Sequence, residues 1–280
     1  MGDFPMGTTD QYVTRPGTPM IGPYSTNQMD DFYTALSQGE AKPSGVMNLM
    51  QHLIVAERCP PGARVLDVCC GRGLALPLLY RYAPNIAGYV GLDISATNLA
   101  EARIRIAALR GTHGDPFPVE LVECDVAQPW PKLPDLPRGG FEVAVYTSAL
   151  EHLPFELGVQ SLRHAAAALA PGGVLWLSTP AAVGPPPRPL QYRVHVYEWS
   201  QEEVQEVVGD AGLVIEDVIG LLPPAPATVA DALTRRYGDA AAVWYRDLAE
   251  RVPAALLDTV SAVMVAEAAI ELLFLCRKPA

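Results

Sequence analysis

The chain has 280 residues, of which 50% are hydrophobic and 18% are charged, and its formal net charge is −11. This composition excludes an intrinsically disordered chain and suits one large domain with a substantial cap. The negative charge and the lack of a Lys/Arg-rich run argue against a nucleic-acid partner.

The cysteines and the apolar segments bear on the compartment. Five cysteines without a CxxC pair are typical of reduced thiols rather than a disulfide framework. The residues after Met1 show neither a basic nor an apolar region of a secretory signal. The apolar stretch 252–275 carries Asp258, Glu267 and Glu271, which argues against a membrane span. We therefore expect a cytoplasmic protein with no membrane partner.

Residues 1–58 are predicted to form an N-terminal arm and a helical lid. Residues 1–27 are rich in Gly, Pro and Thr, which indicates irregular structure. Helical spacing of apolar residues follows over 28–38, and a second helix is predicted from a cap at Ser44 to about Arg58. Two short helices before the first strand can close over a ligand.

Strands and helices alternate along residues 59–222, which we assign to a core domain. Short apolar strands separated by helices predict a mostly parallel α/β sheet with helices on both faces. The predicted strands are 64–69, 87–93, 119–124, 141–147 and 172–178, and the predicted helices are 74–82, 96–110 and 157–169.

The pattern changes after Ser178. A Pro-rich loop over 180–191 leads to a predicted helix at 201–210 and a strand at 213–222, and a last strand is predicted at 268–277. Between these two strands, the Ala-rich segment 223–267 has a helical pattern and is predicted to be an inserted cap. The segment 268–280 then completes the core sheet.

The sharpest chemical signal is the turn after the first strand. Gly71 and Gly73 let backbone N–H groups approach a ligand there, and a helix follows. About twenty positions later Asp93 ends the second strand, where nucleotide-binding α/β folds hold the carboxylate that binds ribose hydroxyls. Asp125 closes the third strand. Because parallel strands end at one edge of the sheet, these residues predict a ligand site at that edge.

This ordered set of motifs, together with the turn at 171–173, resembles the class I S-adenosylmethionine (SAM)-dependent methyltransferases over roughly residues 60–220. The resemblance implies a Rossmann-like seven-stranded sheet in the order 3-2-1-4-5-7-6, with SAM as cofactor and S-adenosylhomocysteine as product. Cys69 departs from the family pattern, because the family usually has its first glycine there. The implied cofactor-binding residues are Asp67, Cys69, Gly71, Gly73, Asp93, Ile94, Asp125, Val126, Ser148 and Tyr24.

Two further segments resemble small-molecule methyltransferases of the ubiquinone and menaquinone type. Ser148–Leu153 is similar to their L-E-H segment, and His195–Trp199 to their H-x-x-x-W segment. The resemblance implies catalytic roles for Glu151, His152 and His195, because a histidine near the methyl group can deprotonate a hydroxyl. In the alternative, His152 caps a short helix and His195 anchors the Pro-rich loop. Two adjacent residues, Glu151 and His152, are a poor ligand set, so no metal is expected.

Aromatic residues are candidates for contacts with the small-molecule substrate. We expect Tyr33, Tyr146 and Trp199 to line the substrate pocket or to contact the sulfonium, with ordinary packing as the alternative. In this family a loop tyrosine before the first helices can close over the SAM carboxylate, which is why Tyr24 is a candidate.

The expected function is methyl transfer from SAM to an oxygen, nitrogen or carbon of a small metabolite, by an enzyme that is compatible with a homodimer. Three alternatives stay open: a SAM-using cyclase or lyase that releases methylthioadenosine, a non-catalytic SAM-binding protein, and a protein or RNA methyltransferase. An NAD enzyme would show the fuller G-x-G-x-x-G spacing, which is missing here.

Overall fold

The computed structural model describes residues 43–133, 139–191, 194–223 and 226–280. The predicted arm, the predicted helix at 28–38 and the two tyrosines Tyr24 and Tyr33 lie outside these residues. Within the described ranges, none of the helices has the length and apolar character needed to cross a membrane.

The described residues form seven strands, eight α-helices and two short 3-10 helices. The strands are β1 (Arg64–Val68), β2 (Gly88–Asp93), β3 (Val119–Glu123), β4 (Phe141–Thr147), β5 (Leu169–Pro180), β6 (Val214–Leu222) and β7 (Glu271–Arg277). The helices are α1 (Pro43–Arg58), α2 (Leu76–Tyr82), α3 (Ala96–His113), α4 (Phe155–Ala168), α5 (Gln201–Asp210), α6 (Pro226–Tyr237), α7 (Asp239–Ala249) and α8 (Ala254–Ala262). The 3-10 helices are Leu150–His152 and Ala266–Ala268.

The seven strands form one sheet in the order β3-β2-β1-β4-β5-β7-β6, which confirms the predicted order. The first five strands are parallel to one another, whereas β7 runs antiparallel to both β5 and β6. The carboxyl ends of β1, β2, β3 and β4 therefore lie along one edge, as the sequence predicted.

Alternation along the strands explains why both faces of the sheet are covered. In β1, Leu66 and Val68 belong to one buried apolar cluster and Val65 to another. In β4, Ala144 and Tyr146 join the first cluster, while Val143 and Val145 join the second. Because both faces are buried, these strands are nearly continuous apolar runs.

The segment between β6 and β7 is helical, as predicted. Helices α6, α7 and α8 build a small apolar cluster of their own, which includes Leu233, Tyr245 and Leu257. The last strand begins at Glu271, three residues later than predicted, because residues 266–268 form a 3-10 turn.

The fifth strand also differs from the prediction. It spans Leu169–Pro180, so the predicted turn at 171–173 lies inside it. Phe141 pairs with Leu169 while Val143 pairs with Val174, so the extra residues of β5 are accommodated as a bulge.

Candidate cofactor and acceptor site

The turn after β1 has a backbone that suits close contact with a ligand. Cys69, Gly71 and Gly73 have φ angles of 59°, 53° and 70°. A Cβ at Gly73 would also lie 2.9 Å from Leu76 Cδ1, so the positive φ and this close approach both favour glycine there. Cys69 is a non-glycine residue in the left-handed region, where backbone strain is often associated with function.

Asp93 ties the end of β2 to this turn. Its Oδ2 accepts a hydrogen bond from Gly71 N at 2.8 Å, and its Oδ1 accepts one from Ser95 N at 2.8 Å. The next strand is linked to it as well, since Cys124 N donates to the Asp93 carbonyl at 3.0 Å. Asp93 is thus a fixed carboxylate at the carboxyl end of β2, next to the turn after β1.

Asp67 is a second buried carboxylate beneath the same turn. Its Oδ2 accepts a hydrogen bond of 2.6 Å from the Tyr89 hydroxyl. Burial raises the pKa of Asp67 to about 7, and the negative charge of Asp93 adds to the rise, while the bond from Tyr89 opposes it.

The predicted cofactor-binding residues Ile94, Asp125 and Val126 lie just after the ends of β2 and β3. The Asp125 carboxylate accepts a hydrogen bond from Ala127 N at 3.0 Å, and Val126 is buried. Ile94, next to Asp93, is 67% exposed. An exposed isoleucine beside a fixed carboxylate is compatible with a flat ligand that would cover it.

A first cavity, which we call the cofactor cavity, adjoins the turn. Its lining includes the turn itself, the end of β4 and one face of α1. The lining residues are Asn48, Gln51, His52, Asp67, Cys69, Cys70, Gly71, Arg72, Leu74, Ala75, Thr147 and Ser148. The predicted residues Asp67, Cys69, Gly71 and Ser148 therefore meet in one cavity, whereas Asp93 and Asp125 lie along the edge beside it.

A polar network ties α1 to the sheet at the floor of the cofactor cavity. The Ser178 hydroxyl donates to Gln51 Oε1 at 2.7 Å, and Gln51 Nε2 donates to Ser148 Oγ at 3.2 Å. His52 Nε2 lies 3.2 Å from Thr147 Oγ1, and burial lowers the pKa of this histidine to about 4, so it is neutral at physiological pH. These contacts hold α1 in place against β5 and the end of β4.

A second cavity, the acceptor cavity, lies next to the first and has two lining residues in common with it, Asn48 and Ser148. Ser148 has a φ of 50° and is held by hydrogen bonds from its N–H to the Ser178 carbonyl and hydroxyl. The lining residues of the acceptor cavity are Met47, Asn48, Ser148, Glu151, His152, Val194, His195, Leu222 and Glu271.

The three predicted catalytic residues meet in the acceptor cavity. The Glu151 carbonyl accepts hydrogen bonds from Val196 N at 2.8 Å and Tyr197 N at 3.1 Å, which brings the two histidine segments together. The rings of His152 and His195 are 5.2 Å apart between centroids and nearly perpendicular. The two histidines are far apart in the sequence, and the hydrogen bonds to the Glu151 carbonyl bring them together.

Both histidines are held through Nδ1. His152 Nδ1 donates to the Val194 carbonyl at 3.1 Å, and His195 Nδ1 donates to Glu198 Oε1 at 2.6 Å. In a neutral imidazole whose Nδ1 carries the proton, the lone pair is on Nε2. The arrangement can therefore accept a proton or coordinate a cation through Nε2.

The acceptor cavity also has the minimum ligand set for a metal ion. One ligand atom each from Glu151, His152 and His195 lie within 4.8 Å of one another. The adjacent pair Glu151 and His152 is a poor ligand set by itself, but the fold adds His195 to it. Glu151 Oε2 is buried without a hydrogen-bond partner, and burial raises the pKa of this carboxyl group.

Two acidic residues of this site were missed in the sequence. Glu198 is buried beside His195, and Glu271 at the start of β7 is 5% exposed and lines the acceptor cavity. Burial raises the pKa of Glu271 well above its usual value, and the charges of Glu151 and Glu198 add to the rise. Glu198 lies inside the recognised His195–Trp199 segment, so its buried carboxylate could have been suspected. Glu271 follows a helical insertion and has no comparable signal.

The structure places two predicted substrate-binding aromatics in the core instead. Tyr146 and Trp199 are both 0% exposed, and neither lines the described cavities. The Tyr146 hydroxyl lies 2.8 Å from Ser161 Oγ, and Trp199 stacks on Phe155 with ring centroids 4.8 Å apart. Both contacts are internal packing, so their placement favours the packing alternative over substrate contact.

Comparison with known proteins agrees with this geometry. Residues 46–218, more than half of the chain, match a family model described as a methyltransferase domain. The chain belongs to the class I SAM-dependent methyltransferases. The family resemblance of the sequence rests on the turn with Asp67, Gly71 and Gly73, and on Asp93 and Asp125.

The methyltransferase is similar to curated bacterial relatives. It is 33% identical over 147 residues to the ubiquinone biosynthesis O-methyltransferase of Xanthomonas campestris pv. campestris (strain B100), covering 51% of this chain and 54% of the relative. The chain thus spans about half the length of that relative. It is 32% identical over 204 residues to the protein of the same name in Xanthomonas axonopodis pv. citri (strain 306), covering 66% of this chain and 77% of the relative.

Among solved structures, the methyltransferase is similar to the [4+2]-cyclase SpnF, with a TM-score of 0.54. The two chains are 20% identical, and the similarity covers 83% of this chain and 81% of SpnF. At this level of identity, the likeness concerns the fold alone.

Proposed function

We propose that this methyltransferase transfers the methyl group of SAM to a hydroxyl group of a small molecule and releases S-adenosylhomocysteine. The observation that carries the proposal is the meeting of two cavities at Ser148 and Asn48. On one side lies the turn that the family uses for SAM, and on the other lie two histidines and a buried glutamate. A methyl group held at that boundary is next to a group that can remove a proton.

For the cofactor, the proposal assigns the ribose hydroxyls to Asp93 and the adenine to Asp125, Val126 and the exposed Ile94. The methionine portion is assigned to the turn, with Asp67 as the acidic residue nearest to it. The assignment is supported by the cofactor cavity beside this turn. Tyr24 and Tyr33 remain predictions that concern residues outside the described part of the chain.

For the chemistry, SAM supplies a methyl group that is already activated on a sulfonium. The residues of the acceptor cavity orient the hydroxyl oxygen so that the O–CH3 bond forms as the S–CH3 bond breaks. The hydroxyl proton passes to Nε2 of His195 or His152, since the Nδ1 atoms of both rings donate elsewhere. Of the two rings, His195 is the more sheltered, because its side chain is 8% exposed whereas His152 is exposed.

A second candidate chemistry is binding of a divalent cation by Glu151, His152 and His195. It is favoured by the outward Nδ1 bonds of both rings, which are the usual support for metal-binding histidines. A bound cation would lower the pKa of a coordinated hydroxyl. Dialysis against EDTA separates the two: loss of turnover that Mg²⁺, Mn²⁺ or Zn²⁺ restores supports the cation, and unchanged turnover supports direct proton removal.

The proposed partners follow the charge and the exposed surface. A net charge of −11 supports a small-molecule substrate rather than nucleic acid, and a cytoplasmic location is proposed with it. For the homodimer that the sequence allows, the exposed side chains of Trp244, Val260 and Met264, at 63%, 59% and 49%, are the candidate contacts. Light scattering of the purified chain tests the oligomeric state.

The decisive experiment incubates the protein with methyl-labelled SAM and a panel of phenols, catechols, aliphatic alcohols and amines. Label in an ether product together with S-adenosylhomocysteine is the expected result. Methylthioadenosine without a labelled acceptor would instead indicate the cyclase or lyase alternative. Calorimetric SAM binding without either product, over a broad metabolite extract, would indicate a non-catalytic SAM-binding protein.

A further inference from the structure

Glu198 enters the scheme above only as the acceptor of the His195 Nδ1–H, yet its carboxylate is the most completely buried acid near the acceptor cavity. Its side chain is 0% exposed, and the His195 side chain is 8% exposed. Glu198 Oε1 accepts two hydrogen bonds, one from His195 Nδ1 at 2.6 Å and one from Gln191 N at 2.8 Å. A charge this deep is costly unless donors compensate it, and these two donors both act on Oε1.

The backbone on both sides of Glu198 is fixed. Arg188 Nε donates to the Glu198 carbonyl at 3.0 Å. The following residue, Trp199, is completely buried against Phe155, and its carbonyl accepts a bond from Ala182 N at 2.9 Å. The backbone that carries the carboxylate is therefore held on both sides, next to His195.

From this geometry we propose that Glu198 is a positioning residue, which holds His195 in the tautomer with the proton on Nδ1 and its lone pair on Nε2. The inference rests on the proposed function, in which His195 acts at the acceptor cavity. A carboxylate that accepts the Nδ1–H of a histidine fixes both the ring orientation and the tautomer. His152 obtains the same tautomer from a neutral backbone carbonyl, that of Val194.

A conservative variant of Glu198 can separate the tautomer of His195 from the charge of the side chain at position 198. In Glu198→Gln, the side-chain oxygen is the atom that suits the position of Oε1, because Gln191 N and His195 Nδ1 both donate to that position. The amide oxygen is then expected to keep His195 protonated on Nδ1. Glu198→Ala removes the acceptor, and Glu206→Gln on the exposed side of α5 is the matched control for the loss of a carboxylate.

The first measurement is independent of activity. Long-range ¹H–¹⁵N NMR of protein with ¹⁵N-labelled imidazoles reports the tautomer of each histidine, and His195→Gln assigns the signals. We expect the Nδ1-protonated form for His195 in the wild type, Glu206→Gln and Glu198→Gln, and a mixture of tautomers in Glu198→Ala. An unchanged tautomer in Glu198→Ala would overturn the proposal, and circular dichroism of every variant verifies that it folds.

The second measurement is turnover with the phenol or catechol that reacts fastest in the panel. Glu198→Ala is expected to lower kcat by about 10- to 100-fold with unchanged affinity for SAM, and Glu198→Gln is expected to fall between Glu198→Ala and the wild type. A kcat for Glu198→Ala within twofold of Glu206→Gln would overturn the positioning role. If His195→Gln keeps the wild-type kcat, the proposed role of His195 fails instead, and the NMR result still decides whether Glu198 sets the tautomer. Should Glu198→Ala not fold, an Nε2-protonated His195 in Glu198→Gln would refute the proposal, and an Nδ1-protonated ring with retained turnover would support it.

Discussion

The strained residue Cys69 yields a quantitative prediction. Its φ of 59° lies in the left-handed region, where an L-residue costs about 1–2 kcal/mol. Glycine avoids that cost but loses about 0.5–1 kcal/mol of stability through the greater freedom of the unfolded chain. Relative to Cys69→Ala, which keeps the strained backbone and also lacks the sulfur, Cys69→Gly should therefore be more stable by about 0.5–1 kcal/mol.

Urea unfolding followed by far-UV circular dichroism measures this difference, provided that the slope of the transition is the same in the two variants. Burial raises the pKa of the Cys69 thiol to about 12, so the thiol is protonated at neutral pH and we expect no nucleophilic role for it. The dissociation constant of Cys69→Gly for SAM should accordingly lie within about twofold of the wild-type value, as expected for a neutral substitution. A Cys69→Ala variant that is as stable as Cys69→Gly, or more stable, would refute the strain argument.

Three further predictions concern the acids and histidines of the two cavities. Asp93→Asn should weaken SAM binding about 10-fold or more in calorimetry, since a bond to a charged group contributes about 1.5–3 kcal/mol. Glu123→Gln, at the exposed end of β3, should not weaken it. Equal SAM affinities of these two variants would contradict the ribose assignment. The pKa of Asp67 is about 7 in the folded chain, above its unfolded value, so its contribution to stability is greatest below about pH 4 and is lost as the pH rises through 7. The urea midpoint of Asp67→Asn should therefore change less between pH 4 and 8 than that of the wild type. The same pH dependence of the midpoint in both proteins would contradict the burial argument. His195→Gln should lower kcat by about 10²- to 10⁴-fold with SAM affinity retained, as expected for loss of a general base; a wild-type kcat would move that role to His152.

The sequence was sufficient for the sheet and for the cofactor edge because both depend on local patterns. Apolar strands, helix caps and the spacing of Asp67, Gly73 and Asp93 are readable along the chain, and the strand order followed from the family resemblance. Cys69 departs from the family pattern, and its positive φ shows why the family has glycine there, since glycine adopts that conformation without strain.

The acceptor cavity was less predictable because it depends on contacts between distant segments. His195 reaches His152 only because two backbone N–H groups bind the Glu151 carbonyl. Glu271 lies at the start of β7, after three helices whose sequences do not indicate where β7 joins the sheet. Tryptophan is common in ligand pockets, but its size also suits the core. Only the tertiary packing shows that Trp199 belongs to the core.

The placement of β7 between β5 and β6 has a consequence for synthesis in the cell. The only strand that β6 pairs with in the described part of the chain is β7, which is made after it, with α6, α7 and α8 in between. While those helices emerge from the ribosome, β5 and β6 each expose an unpaired edge, which is a site where chains can associate wrongly. Slow translation of residues 223–270 would prolong this interval, so the yield of folded protein should depend on codon choice in the insertion more than in the cofactor-binding half.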